Sequence, residues 1–368
     1  MSKNVKLCYN RVKGGDIMPN WYSGNKLLSM LDMNGEEPEI FISNSNRSAG
    51  KSTFFNKWCV EEFIKGNGKF MLIYRYKNEL SDISSKFFNE IGRLFFSGYI
   101  MTHISRANGS FMELFLRPPE GEPVSCGFAV ALSSASKLKL YSHFFTEVKR
   151  MIFDEYQVES IGYMTNEIVF FHSLHQTVAR GEGFASRYVP VVLIGNQLST
   201  INPYYSAFGI TERLQKDTKF LRGRGWVVEQ NLNKDVRNIQ RRSAFEQAFV
   251  NNEYLEKQGG GDYLNDITSF IDKRPEGRFY YQMTIKYMDK YYSVSMFPDS
   301  GILYVDNKYD KTFKNLVAVT TDQHDINIVM LRQSDIMIKN YREFFDRGCV
   351  RFKNINCKTA FMELVKYR

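Results

Sequence analysis

Residues 45–52 read SNRSAGKS, a short turn that ends in glycine, lysine and serine. A turn of this kind binds phosphate when its backbone amides point inward around the phosphate oxygens and the lysine and hydroxyl complete the site. Gly50, Lys51 and Ser52 fit the pattern G-x-x-x-x-G-K-[ST], but Ser45 stands where the first glycine is expected. The sequence therefore predicts a phosphate loop with one departure, and a polar surface turn is the alternative interpretation.

A second stretch, RMIFDE at residues 150–155, ends an apolar run in two carboxylates. If the run is a strand, Asp154 and Glu155 lie at the carboxyl edge of the sheet, where the phosphate loop of a neighbouring strand would hold its ligand. We expect Asp154 to bind Mg²⁺ together with Ser52, and Glu155 to polarise the water that attacks ATP. Strands also end in acidic residues simply on reaching solvent, so this prediction depends on the two stretches occurring together.

Two further polar residues are candidates for the same site. Asn196 ends the run VPVVLIGN, where its side chain could sense the γ-phosphate and orient the water, or could simply favour the following turn. Arg180 ends a helical pattern before a glycine-rich turn, where it either caps the last carbonyls or reaches a neighbouring subunit as an arginine finger. Arg187 competes with Arg180 for that second role.

The segments around these residues alternate between strand and helix patterns. The loop lies between the apolar run PEIFISNS and a helical pattern, and further buried runs begin at residues 69, 126, 149 and 189. Asn108 and Gly109 lie between two alternating segments and predict a hairpin at the sheet edge. We predict an open, largely parallel α/β sheet through residue 205. An extra strand should separate the two motif strands, as in the additional-strand (ASCE) branch of P-loop ATPases.

The composition is that of a globular chain with an anionic partner. Its 368 residues are 43% hydrophobic and 15% aromatic, enough to bury a core in two domains, and the formal net charge is +9. This basic excess favours nucleic acid over a membrane surface as the partner. The five cysteines form no C-x-x-C pair, and the sequence shows neither a signal-peptide pattern nor a run of about eighteen apolar residues. We expect a reduced, cytosolic protein that does not span a membrane.

Basic residues are concentrated after the predicted sheet. Residues 213–242 carry nine lysines and arginines against three acidic residues, a balance that can neutralise DNA phosphates without reading bases. A solvated helical face is the alternative for this segment, and an exposed loop is the alternative for the two lysines before the Asp-Glu strand. The candidate nucleic-acid contacts are Lys137, Lys139, Lys219, Arg222, Arg224, Arg241 and Arg242.

Three glycines at 259–261 are the clearest linker signal, and aromatic-rich alternating segments follow them. We therefore predict a P-loop ATPase domain at 1–205, a basic helical linker domain at 206–262 and a small β-led α/β domain at 263–368.

Together these stretches resemble the DNA-packaging ATPases of small tailed phages of the phi29-like group. The resemblance rests on segments that occur in order along most of the chain: SNRSAGKS, FMLIYRYKNEL, MIFDE, QTVARG, LIGN followed by STINPYY, and GILYVDNKYDKTFKNLVAVTTD. The loop of that family reads G-x-R-G-x-G-K-S, so Arg47 also matches, while Ser45 and Ser48 depart from glycine. Nucleotide binding should survive these departures, weakened if either serine must adopt a positive φ. The expected nucleotide contacts are Ser45, Arg47, Gly50, Lys51, Ser52 and Thr53.

The resemblance implies a ring-forming motor, a homopentamer at the capsid portal, that couples ATP hydrolysis to translocation of double-stranded DNA into a procapsid. It implies that Asp154 is the Mg²⁺ carboxylate, that Glu155 is the catalytic glutamate and that Arg180 is the finger acting on the neighbour's ATP. It also implies that the C-terminal part resembles an RNase H-type nuclease, in which Asp306 at a strand end, with Asp322 or Asp325, could supply carboxylates to two metal ions. The sequence does not show that these carboxylates converge, and we expect a vestigial module that binds nucleic acid or the portal. The protein would act in the host cytoplasm, transiently on the procapsid, and participation of a structural RNA is left open.

Two other functions fit the same residues. A ring-forming helicase or translocase of the same P-loop branch would unwind duplex that carries a single-stranded tail. A portal adaptor that does not hydrolyse ATP would explain the missing first glycine of the loop.

Overall fold

The computed structural model of the chain describes residues 22–46, 48–158, 163–164, 166–180, 185–196, 202–211, 213–214, 218–231, 238, 248, 270–332 and 334–365. Three residues predicted to contact ligands, Arg47, Arg241 and Arg242, lie outside these ranges.

In the first part of the chain, up to residue 231, helices and strands alternate. The helices are α1 (Asn25–Leu28), α2 (Lys51–Ile64), α3 (Ile83–Phe95), α4 (Ala135–Leu138), α5 (Glu167–Ala179) and α6 (Pro203–Phe208). The strands are β1 (Ile40–Ser45), β2 (Lys69–Tyr74), β3 (Ile100–Arg106), β4 (Phe111–Arg117), β5 (Val124–Ala131), β6 (Val148–Asp154), β7 (Val191–Asn196), β8 (Phe220–Gly223) and β9 (Trp226–Asn231).

These strands form one sheet in the order β3-β4-β5-β2-β6-β7-β1-β9-β8. The six strands from β5 to β9 in this order are parallel, and the antiparallel strands β4 with β3 and β8 extend the sheet at its two ends. The hairpin predicted around Asn108 and Gly109 is confirmed as β3–β4 at one edge. The additional strand is confirmed as well, because β7 separates β1 from β6, the strands that carry the two motifs.

Successive side chains of the parallel strands point to opposite faces of the sheet and enter two separate cores. Phe41 and Ile152 pack under α1, α2 and α3, whereas Ile42 and Phe153 pack under α4, α5 and α6. Because helices cover both faces, these strands read as continuous apolar runs in the sequence. The carboxyl ends of β1, β6 and β7 consequently meet at one edge of a three-layer α/β/α unit.

The expected helical linker beginning at residue 206 is wrong for residues 220–231. These residues form β8 and β9, and β9 pairs in parallel with β1, so the sheet continues past the predicted boundary at 205. Val227 and Val228 alternate between the two cores, which gives β9 the buried two-sided character of the other parallel strands. The strand that carries the phosphate loop is therefore flanked on both sides.

The second described part begins at residue 270 and is the expected small β-led α/β unit. Its elements are β10 (Tyr280–Tyr287), β11 (Lys290–Phe297), β12 (Ile302–Asp306), β13 (Leu316–Ala318), α7 (Ile336–Asp346), β14 (Val350–Phe352) and α8 (Ile355–Val365). The sheet order is β13-β10-β11-β12-β14, with β11 antiparallel to both neighbours and the outer pairs parallel. In α8, Cys357, Ala360, Phe361 and Leu364 recur at helical spacing and fill the core against the sheet.

Among the described residues, no helix is both long and apolar enough to cross a bilayer.

Candidate nucleotide site

The described residues of the loop between β1 and α2 include two with left-handed backbone conformations. Gly50 has a φ of 90° and directly precedes α2, whose first turn receives no side-chain cap. Ser48 has a φ of 61°, whereas Ser45 ends β1 and is not among the residues with positive φ. The uncapped amides at the start of a 14-residue helix are available to an anion. Of the two departures from glycine, Ser48 and not Ser45 therefore carries the backbone strain.

Lys51 is buried at this edge and points back toward β1. Its Nζ donates to Oγ of Ser45 at 2.7 Å and to the carbonyl of Asn46 at 3.2 Å, and it lies 3.5 Å from Oδ1 of Asn196. Burial lowers the pKa of Lys51 to about 8, and the negative charges of Asp154 and Glu229 oppose that shift. The serine in place of the first glycine thus contributes a hydroxyl acceptor for the loop lysine.

Asp154 and Glu155 follow the buried part of β6 at the same edge. The hydroxyl of Ser52 donates to the Asp154 carboxylate, whose pKa is nevertheless raised because the carboxylate is withdrawn from solvent. The amide of Glu155 donates to Oδ1 of Asp154 at 3.0 Å, and the Glu155 side chain is exposed. Glu155 has a φ of 55°, an uncommon conformation for a residue with a side chain. The predicted metal carboxylate and catalytic glutamate are therefore adjacent to the loop but in different environments.

Asn196 and Thr53 also lie at this edge of the sheet. Asn196 ends β7 and is the register partner of Ser45 on the neighbouring parallel strand, which brings its amide beside Lys51. Thr53 is half-buried in the first turn of α2. The structure therefore brings the described residues of the loop, the two carboxylates and Asn196 to one edge of the sheet.

Arg75 is a buried cation at this edge that the sequence motifs do not identify. Its Nε and Nη2 donate to the carboxylate of Glu167 at 2.9–3.1 Å, and Tyr204 donates to the same carboxylate at 2.7 Å. The remaining donors reach the backbone carbonyls of Glu155 at 3.3 Å and of Tyr156 at 2.8 Å. Arg75 thus fixes the turn that carries the catalytic glutamate candidate, and its place directly after a buried strand was the one available sequence signal.

The two arginines near the end of α5 have different environments. Arg187 is buried and donates to the carbonyls of Phe145, Val148 and Val178, which is a structural role and removes it as a finger candidate. Arg180 directly follows α5 and is exposed. Helix α5 begins beside Arg75 at the carboxyl edge and its 13 residues span about 20 Å, so Arg180 lies at the opposite edge from the loop of its own chain.

The basic candidates do not form one continuous track in the described residues. Lys137 and Lys139 are exposed just after the carboxyl end of β5, and Lys219 is exposed beside the carboxyl end of β9. Arg222 and Arg224 are exposed at the other end of the β8–β9 hairpin, near the amino ends of the parallel strands. Lys219 and Arg224 therefore lie at opposite ends of β8, and Arg222 lies within this strand near the Arg224 end.

In the small domain, Asp306 is held by cations and not by other acidic groups. Lys353 contacts its carboxylate at 3.0 Å and Arg274 lies 3.9 Å from it, and the Asp306 side chain is buried. Asp325 is exposed, and the side chain of Asp322 lies outside what the structure describes. The described residues contain no group of three or more His, Cys, Asp or Glu side chains placed to hold a metal ion.

These residues fit ATP with Mg²⁺. Magnesium in nucleotide sites uses one or two protein ligands and takes the rest from phosphate and water, so Ser52 and Asp154 suffice. The Ser52 hydroxyl and the Asp154 carboxylate already contact each other, and the free amides and Lys51 lie on the phosphate side. A glycine-lysine-serine loop after a parallel strand, with an inserted strand before the acidic one, defines a P-loop ATPase fold of the additional-strand branch.

The chain belongs to the Podovirus DNA encapsidation protein (Gp16) family, whose model matches residues 20–368. It is 27% identical over 332 residues to the DNA packaging protein of Bacillus phage B103, covering 87% of this chain and 94% of that protein. It is 24% identical over 325 residues to the DNA packaging protein of Bacillus phage phi29, covering 87% and 91%. The resemblance inferred from the sequence motifs is thereby confirmed.

Solved structures share the fold over nearly the whole chain. The bacteriophage phi29 viral genome packaging motor assembly matches with a TM-score of 0.62 and 21% identity, covering 94% of this chain and 98% of that one. The Phi-28 gp11 DNA packaging motor matches with a TM-score of 0.59 and 16% identity, covering 95% and 99%.

Proposed function

We propose that this protein is an ATP-driven motor that translocates double-stranded DNA into a viral procapsid, acting as a homo-oligomeric ring at the portal. The observation that carries the proposal is the convergence of Lys51, Ser52, Asp154, Glu155 and Asn196 at one edge of the sheet, in a chain of the DNA encapsidation family. Relatives named as DNA packaging proteins, and a similar structure named as a genome packaging motor, support DNA packaging as the process that ATP hydrolysis would drive.

Each residue of the site has a defined task in ATP hydrolysis. The amides after Gly50 and the ammonium of Lys51 bind the phosphates, while Ser52 and Asp154 hold Mg²⁺, which neutralises phosphate charge when bound. Glu155 is exposed at the end of β6, where it can accept a hydrogen bond from the attacking water and then its proton. Asn196 can orient that water.

The DNA contacts belong to the exposed basic residues. Lys137, Lys139 and Lys219 lie on the same edge as the nucleotide site. ATP hydrolysis can therefore be coupled directly to the loops that would contact DNA phosphates. Arg222 and Arg224 lie at the far edge and would serve the opposite side of the ring. Host cytoplasm, with transient attachment to the procapsid, is the corresponding location, and a ring of five copies and a structural RNA are further parts of this proposal.

The first experiment is ATP hydrolysis by the full chain with and without long double-stranded DNA. We expect turnover that rises with DNA and is lost in Lys51→Ala. Lys65→Ala is the matched control, because Lys65 is an exposed lysine just beyond the end of α2, paired with Glu62. Activity that persists in Lys51→Ala would contradict the proposed site.

Two outcomes would favour the alternative functions. Unwinding of a duplex with a single-stranded tail would indicate a helicase, because a packaging motor should not unwind DNA. Nucleotide binding without hydrolysis, including in the presence of assembled portal and DNA, would indicate an adaptor.

A further inference from the structure

Tyr22 contacts the nucleotide loop from outside, although nothing in the sequence singles it out. Its backbone amide donates to the carbonyl of Ala49, inside the loop, at 3.1 Å. Its ring packs edge-on against Phe54 and at a tilt against Phe55, with centroid distances of 5.8 and 5.7 Å. Only 6% of the residue is exposed. Tyr22 therefore holds both the loop and the first turns of α2.

The hydroxyl of Tyr22 reaches the sheet on the other side. It donates to Oε2 of Glu229 at 2.7 Å and accepts from Oγ of Ser43 at 2.8 Å. Ser43 on β1 and Glu229 on β9 are register partners, and they are 0% and 3% exposed. A buried carboxylate requires a hydrogen-bond donor, so this contact fixes the direction of the Tyr22 side chain.

The charge of Glu229 also links the hairpin to the loop. Burial raises the pKa of Glu229, and the Tyr22 hydroxyl together with the positive charges of Lys219, Lys26 and Lys51 acts in the opposite direction. Lys219 directly precedes β8, and Lys51 belongs to the nucleotide loop. Glu229, which lies on β9, thus connects the hairpin electrostatically to the nucleotide loop.

We propose that Tyr22, Ser43 and Glu229 are positioning residues that fix the nucleotide loop against β9, which makes the β8–β9 hairpin a supporting part of the nucleotide site. The inference rests on the proposed nucleotide site and adds residues that do not belong to the phosphate-binding motif. A loop whose amides are already aligned binds phosphate without first losing conformational freedom. Releasing Tyr22 should therefore weaken nucleotide binding.

The test uses the full chain with Tyr22→Phe, which removes the hydroxyl and keeps the ring and the amide. Titration with a fluorescent ADP analogue should show affinity reduced by about fivefold or more. Turnover at saturating ATP should stay within about twofold of wild type, because the variant loses binding common to ground and transition states. Tyr188→Phe is the control for loss of a tyrosine hydroxyl far from the loop: this hydroxyl donates to the carbonyl of Pro38 at the opposite edge, and its loss should leave affinity unchanged.

A second variant separates positioning from stability. Tyr22→Phe with Ser43→Ala and Glu229→Leu replaces all three polar groups by apolar ones, so thermal stability should recover relative to Tyr22→Phe alone. Affinity for the ADP analogue should remain low, because the hydrogen bonds that fix Tyr22 are still absent. Affinity that recovers together with stability, or wild-type affinity in Tyr22→Phe, would overturn the inference. Wild-type protein that fails to bind the analogue would instead overturn the proposed nucleotide site.

Discussion

At position 48 the loop has serine where the family pattern has glycine, and this serine adopts a backbone conformation that is costly for a residue with a side chain. Its φ of 61° is left-handed, a conformation that glycine adopts without strain. We expect Ser48→Gly to stabilise the protein by up to about 1 kcal/mol and to tighten nucleotide binding slightly. Thermal unfolding and titration with an ADP analogue measure the two effects.

Ser45→Gly is the matched control for this change. Ser45 does not have a positive φ, and its hydroxyl accepts from Lys51, so glycine there removes a contact and relieves no strain. We expect a loss of stability of roughly 1 kcal/mol. Equal shifts in the same direction for both serines would contradict the assignment of strain to Ser48.

The lowered pKa of Lys51 predicts how nucleotide binding depends on pH. Because that pKa is about 8 in the free protein, Lys51 is charged below this pH and progressively neutral above it. Phosphate favours the charged form, so binding must restore the proton when the pH exceeds about 8. Affinity for the ADP analogue should therefore be flat below this pH and fall by up to about tenfold per unit above it.

Lys51→Arg tests the origin of this pH dependence. An arginine stays charged throughout this range, so any nucleotide binding that the variant retains should not decline above pH 8. A decline of the same size in both proteins would show that another group causes it.

At the scale of elements, Arg75 joins the ends of β2 and β6 to the start of α5. Arg75 and Glu167 have side chains only 6% and 1% exposed, so removing the arginine leaves a buried negative charge. We expect Arg75→Ala to lower the free energy of unfolding by about 3–5 kcal/mol, measured by urea denaturation. Turnover should fall as well, since the backbone carbonyls of Glu155 and Tyr156 lose their donors.

A matched buried arginine at the opposite edge provides the control. Arg150 donates to the carbonyl of Asn67 at 2.7 Å, and its nearest carboxylate, that of Glu62, is 4.0 Å away and partly exposed. Arg150→Ala should cost only about 1–3 kcal/mol and leave nucleotide affinity unchanged. Equal losses for the two arginines would contradict the idea that the buried Glu167 charge sets the cost.

The elements also show why some features could be predicted from the sequence and others could not. β1, β6 and β7 were recognisable because strands buried on both faces are continuous apolar runs, and their final polar residues identify the site. The sequence predicted a helical linker at β8 and β9, because the exposed residues Arg222 and Arg224 interrupt the apolar pattern of this short edge hairpin. Arg75 and Glu167 are 92 residues apart, so only the fold brings them together.

On the scale of the whole molecule, the basic residues that are candidates for DNA contact or for the arginine finger lie at both edges of the main sheet. Lys137, Lys139 and Lys219 lie on the nucleotide edge, whereas Arg180, Arg222 and Arg224 lie on the other. A ring in which the nucleotide edge of one subunit meets the far edge of the next would bring Arg180 to the ATP of its neighbour. The distance of Arg180 from the loop of its own chain is compatible with that arrangement.

Mixed rings test whether Arg180 acts between subunits. Arg180→Ala subunits keep an intact site but supply no finger, and Asp154→Ala subunits supply the finger but lack the metal carboxylate. Equal mixing should restore about a quarter of wild-type turnover, since half of the subunits have an intact site and half of their neighbours carry Arg180. In the control, Arg180→Ala is mixed with the double variant Arg180→Ala/Asp154→Ala, which should restore nothing. Recovery in both mixtures, or in neither at any ratio, would remove Arg180 as the finger.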